Sequence, residues 1–249
     1  MNEFDLLIDL HKDGHRQGPG SVKDTLKALN MLNIDLSKPM KIADIGSGSG
    51  AQTITLAQHI EGEIIAVDLF PEFLTKLNAD ASELGLQNKI STLQRSMDAL
   101  PFTKEEFDVI WSEGAVYILG FEEGIKQWKE YLKTGGYLVL SEITWLTNER
   151  PREIDEHWNT EYPEIATASS KIKILEDNGY SIVGYFVLPE SSWIDNYYLP
   201  MENRFEAFLK RHPNSELALS IVETEKEEIR KYKEFKAFYS YGFYLARKL

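Results

Sequence analysis

From residue 41 to residue 140 short apolar runs alternate with longer stretches of helical spacing, and this alternation restricts the fold more than any other feature of the chain. Apolar runs at Lys41–Ile45, Glu63–Val67, Lys89–Gln94, Phe107–Trp111 and Tyr137–Leu140 read as strands. Helices are predicted at Ala51–Ile60, Pro71–Leu84 and Glu122–Leu132. Pro71 suits a first helical turn, Gly85 suits a helix end, and Gly135-Gly136 stops the third helix. Strands this apolar are buried on both faces. The sheet they form is therefore parallel and covered by helices on either side, which makes the chain an α/β protein.

The flanks read differently. The first forty residues have helical spacing, broken at Gly18-Pro19-Gly20. Ser21-Val22-Lys23-Asp24 resembles a capping box, and Val22, Leu26, Leu29 and Leu32 are expected on the buried face of the helix it opens. Beyond residue 145 a helix is predicted at Pro163–Asn178, ended by Gly179, and a strand at Tyr180–Leu188. Helical spacing returns around Met201–Lys210 and Glu216–Phe238, and Phe238–Arg247 closes the chain as a strand. A strand, a long helical insertion and a returning strand suggest an antiparallel pair at one sheet edge. The expected organisation is an N-terminal helical lid over residues 1–38 and a main domain over 39–249, in which 145–237 supplies the insertion.

Composition removes several chemistries. The chain has 249 residues, enough for one large α/β domain, and no cysteine. A disulfide framework, a zinc–thiolate site and a cysteine nucleophile are excluded. Acidic residues outnumber basic ones 40 to 27, for a net charge of -13. Nucleic-acid binding needs clustered Lys and Arg to displace phosphate counterions, so no nucleic acid is expected as partner. Met1–Asp5 lacks a basic leader, and no run reaches the roughly 18 apolar residues of a membrane span. A cytoplasmic protein, monomer or homodimer, with no membrane partner is expected. Glu153-Ile154-Asp155-Glu156-His157 reads as a solvated helix face, and no metal is expected.

The chemistry concentrates in Ile42-Ala43-Asp44-Ile45-Gly46-Ser47-Gly48-Ser49-Gly50, between a strand and a helix. Glycines let backbone approach a ligand closely, and the following helix start offers free N–H groups. Asp68 ends the second strand, where a carboxylate accepts both hydroxyls of a ribose. Asp98 follows the third strand, where a carboxylate accepts from an adenine amino group. Open parallel sheets bind ligands at these strand ends. Gly46, Gly48 and Ala51 also match the dinucleotide pattern. However, Asp44 stands two residues before Gly46, where it would repel a pyrophosphate and attract a sulfonium or ammonium.

Asp44 to Gly50, followed by Gln52-Thr53, resembles motif I of the class I S-adenosylmethionine-dependent methyltransferases. Asp68, Asp98, Phe107-Asp108-Val109-Ile110 and Gly135-Gly136-Tyr137 sit where that family's later motifs fall. Arg16-Gln17-Gly18-Pro19-Gly20-Ser21 resembles a subgroup of bacterial small-molecule methyltransferases. The resemblance covers residues 40–145 best. It implies a Rossmann-like, doubly wound, mostly parallel seven-stranded sheet with an antiparallel terminal strand. It also implies S-adenosyl-L-methionine as cofactor. Gly46, Ser47, Gly48 and Gly50 would hold its methionine end, with Gln17 reaching it from the N-terminal segment. Asp44 would place the amino group, and Asp68 the ribose. Leu69 and Phe70 would lie against the adenine, with Met97 and Asp98 on its edge. Trp111, Ser112 and Glu113 would face the methyl and the acceptor.

Methyl transfer is an in-line displacement from an already activated leaving group, so alignment matters more than acid–base chemistry. A hydroxyl or carbon acceptor would still need a general base. Glu113, Tyr117 and His15 are the candidates, Glu113 being also a possible cofactor contact. Glu142 and Trp145 could line an acceptor pocket. Trp145, Trp158, Tyr162, Trp193, Tyr197 and Tyr198 could cage a cation, stack on a planar acceptor, or simply pack an insertion. Arg16, Gln17 and Gly20 could form a lid hinged at Gly-Pro-Gly. The acceptor is expected to be a small molecule, its identity open. Two other readings remain: a nicotinamide-dependent oxidoreductase, and a non-catalytic S-adenosylmethionine sensor.

Overall fold

The computed structural model describes residues 2–249. In chain order the elements are α1 Glu3–His11, α2 Val22–Met31, β1 Met40–Ile45, α3 Ala51–His59, β2 Gly62–Asp68, α4 Pro71–Glu83, β3 Ile90–Gln94 and β4 Phe107–Glu113. A 3₁₀ turn at Val116–Ile118 leads to α5 Phe121–Lys129, β5 Leu132–Trp145, α6 Arg152–Glu161, β6 Ala166–Thr167, α7 Ala168–Asp177 and β7 Tyr180–Val187. Then come α8 Glu190–Trp193, a π turn at Ile194–Tyr198, α9 Leu199–Arg211, α10 Glu216–Phe235 and β8 Tyr239–Lys248.

The sheet runs β3-β2-β1-β4-β5-β8-β7, and the two-residue β6 pairs with the end of β5. Strands β1 to β5 are mutually parallel, whereas β8 is antiparallel to both β5 and β7. The strand order reverses direction between β1 and β4. Their carboxyl ends therefore flank a crevice, the position at which sheets of this kind hold ligands.

Apolar strands need cover on both faces, and the helices supply it. Leu29 of α2, Leu56 of α3 and Leu77 of α4 pack with Ile42, Val109 and Val139 on one face. Ile125 and Trp128 of α5 and Leu175 of α7 pack with Ala43, Ile110 and Leu138 on the other. A third cluster, rich in rings, joins α1, α6, α9 and α10 to the ends of β5 and β8. At its centre Trp193 stacks on Tyr232 at 4.4 Å and donates from Nε1 to Ser240 Oγ at 2.9 Å. Among the described residues no helix is long and apolar enough to cross a membrane.

Several local expectations need correction. Val22 is 51% exposed, and α2 instead buries Asp24, Thr25, Ala28 and Leu29. The first turn of α2 points polar groups inward because Thr25 and Asp24 bond to groups from distant elements, Glu113 and Ser192. Helix α5 stops at Lys129, not at Leu132. Leu132 pairs with Phe107, and Gly135-Gly136 lies inside β5, where the β4 pairing shifts register. Helix α7 begins at Ala168 rather than Pro163, since Ala166 and Thr167 pair with Thr144 and Trp145 and Thr167 caps the helix.

A candidate active site above the glycine loop

The loop after β1 is built for close approach. Gly46, Gly48 and Gly50 have φ of 75°, 54° and 83°, a region that favours glycine. A β-carbon at Gly46 would collide with Ala115, and one at Gly50 with Leu77. The amides of Gly46 and Ser47 donate to the Val67 carbonyl, each at 2.9 Å, anchoring the loop to the tip of β2. Gly48 N–H donates to Asp68 Oδ2 at 2.8 Å, and Phe70 N–H to Asp68 Oδ1 at 3.0 Å. Asp68 thus fixes the loop and the start of α4 while keeping lone pairs free.

Above this loop lies a cavity of about 510 Å³, within the range typical of ligand sites. It is lined by His15, Gln17, Gly46, Ser47, Gly48, Asp68, Leu69, Met97, Glu113 and Tyr117, ten of the residues singled out from sequence. Others are elsewhere: Trp111 is buried against Phe243, and Ser112 is buried with its hydroxyl donating to the Ile45 carbonyl at 2.8 Å, so neither faces the cavity as expected. Gly50 opens α3 just below the cavity. Asp44 is fully buried beneath the loop, held by Thr53 Oγ1 at 2.5 Å and Gln52 Nε2 at 3.3 Å. Asp98 is exposed outside the lining, and its carbonyl accepts from Gln127 at 2.9 Å. Met97 and Ser96 occupy the wall where Asp98 was expected.

Ser47 Oγ is buried without a hydrogen-bond partner. An orphaned hydroxyl among the amides of a glycine loop fits a ligand with its own polar groups at that spot. Burial pushes the Asp44 carboxyl up to about 7, against the hydrogen bonds from Thr53 and Gln52, and the charge of Glu113 adds to the rise. A cation bound over the loop would reverse this by favouring the ionised carboxylate.

Glu113 is placed differently from a free base. Its Oε1 accepts from Thr25 Oγ1 at 2.8 Å and Trp111 Nε1 at 2.9 Å. Its Oε2 pairs with Arg16 Nη1 at 3.0 Å, and both side chains are nearly buried, 4% and 8% exposed. Glu113 therefore locks the N-terminal segment to the end of β4. Gln17 adds a second lock: its Oε1 accepts from Ser49 N–H at 2.7 Å, and its Nε2 donates to the carbonyls of His11 and Gly14. Ser49 Oγ donates to the carbonyl of Gly14 at 2.9 Å. Pro19 and Gly20 are buried, and Gly20 N–H donates to Ser192, so the Gly-Pro-Gly break is a fixed corner.

His15 lies at the exposed rim of the cavity, whereas Tyr117 forms part of its wall, edge-on to Tyr162 at 6.1 Å. Of the six aromatic residues noted after residue 144, Tyr197 alone lines the cavity; Trp145, Trp193 and Tyr198 pack the third cluster. Glu142 does not line it either. It is buried with Lys171, Nζ to Oε1 3.5 Å. His11 went unnoticed in the sequence. It lines the cavity, stacks on Tyr197 and faces Glu225 Oε1 with Nε2 at 3.5 Å. No motif marks it, since its partner comes from α10 at the far end of the chain.

Comparison with known proteins agrees with this geometry. A family model described as a methyltransferase domain matches residues 42–136. A Haemophilus influenzae protein is 30% identical over 58% of this chain, the match spanning 57% of that protein. YjhP of Escherichia coli is 24% identical over 73% of both chains. The chain thus matches little more than half the length of the first of these relatives. The crystal structure of YjhP superposes with a TM-score of 0.85, 19% identity and coverage of 98% of this chain and 99% of that one. A methyltransferase from Geobacter sulfurreducens, crystallised with S-adenosyl-L-homocysteine, superposes with a TM-score of 0.84, 17% identity and coverage of 99% and 98%. At these identities the structural likeness is one of fold. Strand order and structural likeness give the chain the fold of the class I, Rossmann-like, S-adenosylmethionine-dependent methyltransferases, and its residues 42–136 are similar to a methyltransferase domain.

Proposed function

We propose that this protein binds S-adenosylmethionine in the cavity above Gly46–Gly48 and transfers its methyl group to a small-molecule acceptor seated towards Tyr117 and Tyr197. The observation that carries this reading is the joint presentation, in one cavity, of the glycine loop, the unpartnered Ser47 hydroxyl and the Asp68 carboxylate. Gly46, Ser47 and Gly48 would hold the amino-acid end, Asp68 the ribose, and Leu69, Phe70 and Met97 the adenine. When bound, the cofactor supplies an activated methyl on a cationic sulfur. The chain's own contribution is alignment and exclusion of water. Arg16, Gln17 and Ser49 hold the N-terminal segment across the loop, which we propose acts as a lid, and Glu113 fixes that lid to β4. With every oxygen of Glu113 engaged, it serves as a positioning residue. We also propose that the acceptor is neither nucleic acid nor membrane and that the protein acts in the cytoplasm, a reading supported by the acidic surplus of the sequence.

Titration calorimetry with S-adenosylhomocysteine and with NAD tests the reading. Binding of the first and not of the second is expected; the reverse would return the oxidoreductase reading. The buried acid gives a further test. A carboxyl raised in the folded chain holds its proton more tightly than in the unfolded one. The associated stability is complete below the ordinary value of 3.8 and is lost as pH rises to about 7. Binding of a cationic ligand ionises Asp44, so below about pH 7 the uptake of S-adenosylmethionine is expected to release up to about one proton. Comparing binding heats in buffers of different ionisation enthalpy measures this release. It should vanish in Asp44→Asn; the same release from both proteins would exclude Asp44 as the source.

A further inference from the structure

One wall of the cavity has an electrostatic character that the cofactor does not explain. His11, Tyr117 and Tyr197 form it. Three carboxylates stand behind these rings. Glu225 faces His11, and its second oxygen, Oε2, is buried without a partner. Glu228 accepts from the Tyr198 hydroxyl at 2.9 Å. Glu142 is 1% exposed, and its Oε2 likewise lacks a hydrogen bond. The Tyr162 hydroxyl lies beside Glu142, and its ring packs edge-on against Tyr117.

Positive charge offsets these acids only in part: His11 faces Glu225, Lys231 lies near Glu228 and Arg204 lies near Tyr197. Lys171 reaches Glu142 at 3.5 Å. Of the two cationic side chains that line the cavity among the described residues, Arg16 is committed to Glu113 and Arg95 lies exposed, donating to the Gln94 carbonyl. Burial pushes Glu228 up to about 7, with Glu225 adding to the rise, and Glu142 up to about 6. Tyr117 and Tyr197 are raised by burial and then by the same carboxylates: Glu142 and Glu228 act on the first, Glu228 and Glu225 on the second. Buried and half-buried acids whose charge is only partly offset are costly, and a further cation beside them is favoured. Aromatic faces favour the same kind of guest.

We infer that the acceptor is an amine, recognised as an ammonium group by the Tyr117–Tyr197–His11 wall and the carboxylates Glu142, Glu225 and Glu228 behind it. This rests on the methyl-transfer reading above and names the acceptor class for that site. The charge bookkeeping agrees. An uncharged amine forms the new N–C bond, the C–S bond breaks with its electron pair remaining on sulfur, and the positive charge passes from sulfur to nitrogen. An amine that arrives protonated first gives one proton to water. The wall then stabilises the charge as it develops on nitrogen. A carboxylate or diphosphate acceptor would meet repulsion instead.

The test uses two probes of one shape and different charge: choline, and its neutral isostere 3,3-dimethylbutan-1-ol. Each is titrated calorimetrically into the whole protein saturated with S-adenosylhomocysteine. Choline is expected to bind at least ten-fold more tightly than the alcohol. Equal or weaker binding of choline overturns the inference, whereas absence of S-adenosylhomocysteine binding overturns the methyl-transfer reading beneath it. Glu228→Gln, which keeps the hydrogen-bond acceptor for Tyr198, is expected to weaken choline several-fold and leave S-adenosylhomocysteine affinity unchanged. Unchanged choline affinity in a folded Glu228→Gln protein removes Glu228 from the assignment. The wild-type comparison of the two probes decides the acceptor class even if the variant does not fold.

Discussion

Replacing Glu113 with alanine is expected to lower stability by about 3–5 kcal/mol, the usual cost of stranding one member of a buried ion pair. The stranded partner is Arg16, held at 3.0 Å and 8% exposed. Thr25 Oγ1 and Trp111 Nε1 lose their acceptor in the same step. The loss is larger than for a surface salt bridge because water does not reach these groups to replace the missing bonds. Since Arg16 carries the segment that crosses the glycine loop, cofactor affinity should fall with stability. Chemical denaturation and S-adenosylhomocysteine titration on the same protein measure both. A variant of unchanged stability with a selective loss of turnover would restore Glu113 as a catalytic group.

Asp68→Ala is expected to weaken S-adenosylhomocysteine at least about 100-fold. Hydrogen bonds to a charged group contribute about 1.5–3 kcal/mol each, and the carboxylate has lone pairs available for two ribose hydroxyls. It also holds Gly48 N–H at 2.8 Å and Phe70 N–H at 3.0 Å, so the ligand-free protein should lose some stability as well. Titration gives the first effect and thermal unfolding without ligand the second. Unaltered affinity would mean that Asp68 only supports the loop.

How far the sequence reveals this molecule depends on the range of the interactions. The β1–loop–α3 unit and Asp68 were legible because strand, glycine spacing and helix start are local signals. The antiparallel return of β8 was legible from the order of elements. Other features depend on partners far along the chain. Glu113 read as a free carboxylate at a strand tip, and nothing near it announces Arg16, 97 positions earlier. Val22 fitted an apolar stripe, but α2 turns Thr25 and Asp24 inward to bond Glu113 and Ser192. Gly135-Gly136 resembled a helix stop, yet pairing of Leu132 with Phe107 extends the strand back across both glycines. His15 stands out as a histidine near a loop and lies at the cavity rim, whereas His11, at the end of α1, packs into the wall against Tyr197.

The loop amides, Asp68 and Met97 all come from the tips of neighbouring strands inside residues 42–136, the same span that the family model matches. His11 and Tyr197 reach the cavity wall from outside that span, on a helix before it and a turn after it. Inheritance can treat the two sets of residues separately. If the proposed reading holds, substitutions in the flanking elements would redirect methyl transfer to new acceptors while the proposed nucleoside grip passes unaltered from ancestor to descendant. Among distant relatives of this chain, the residues facing Tyr117 should therefore diverge faster than those facing Asp68.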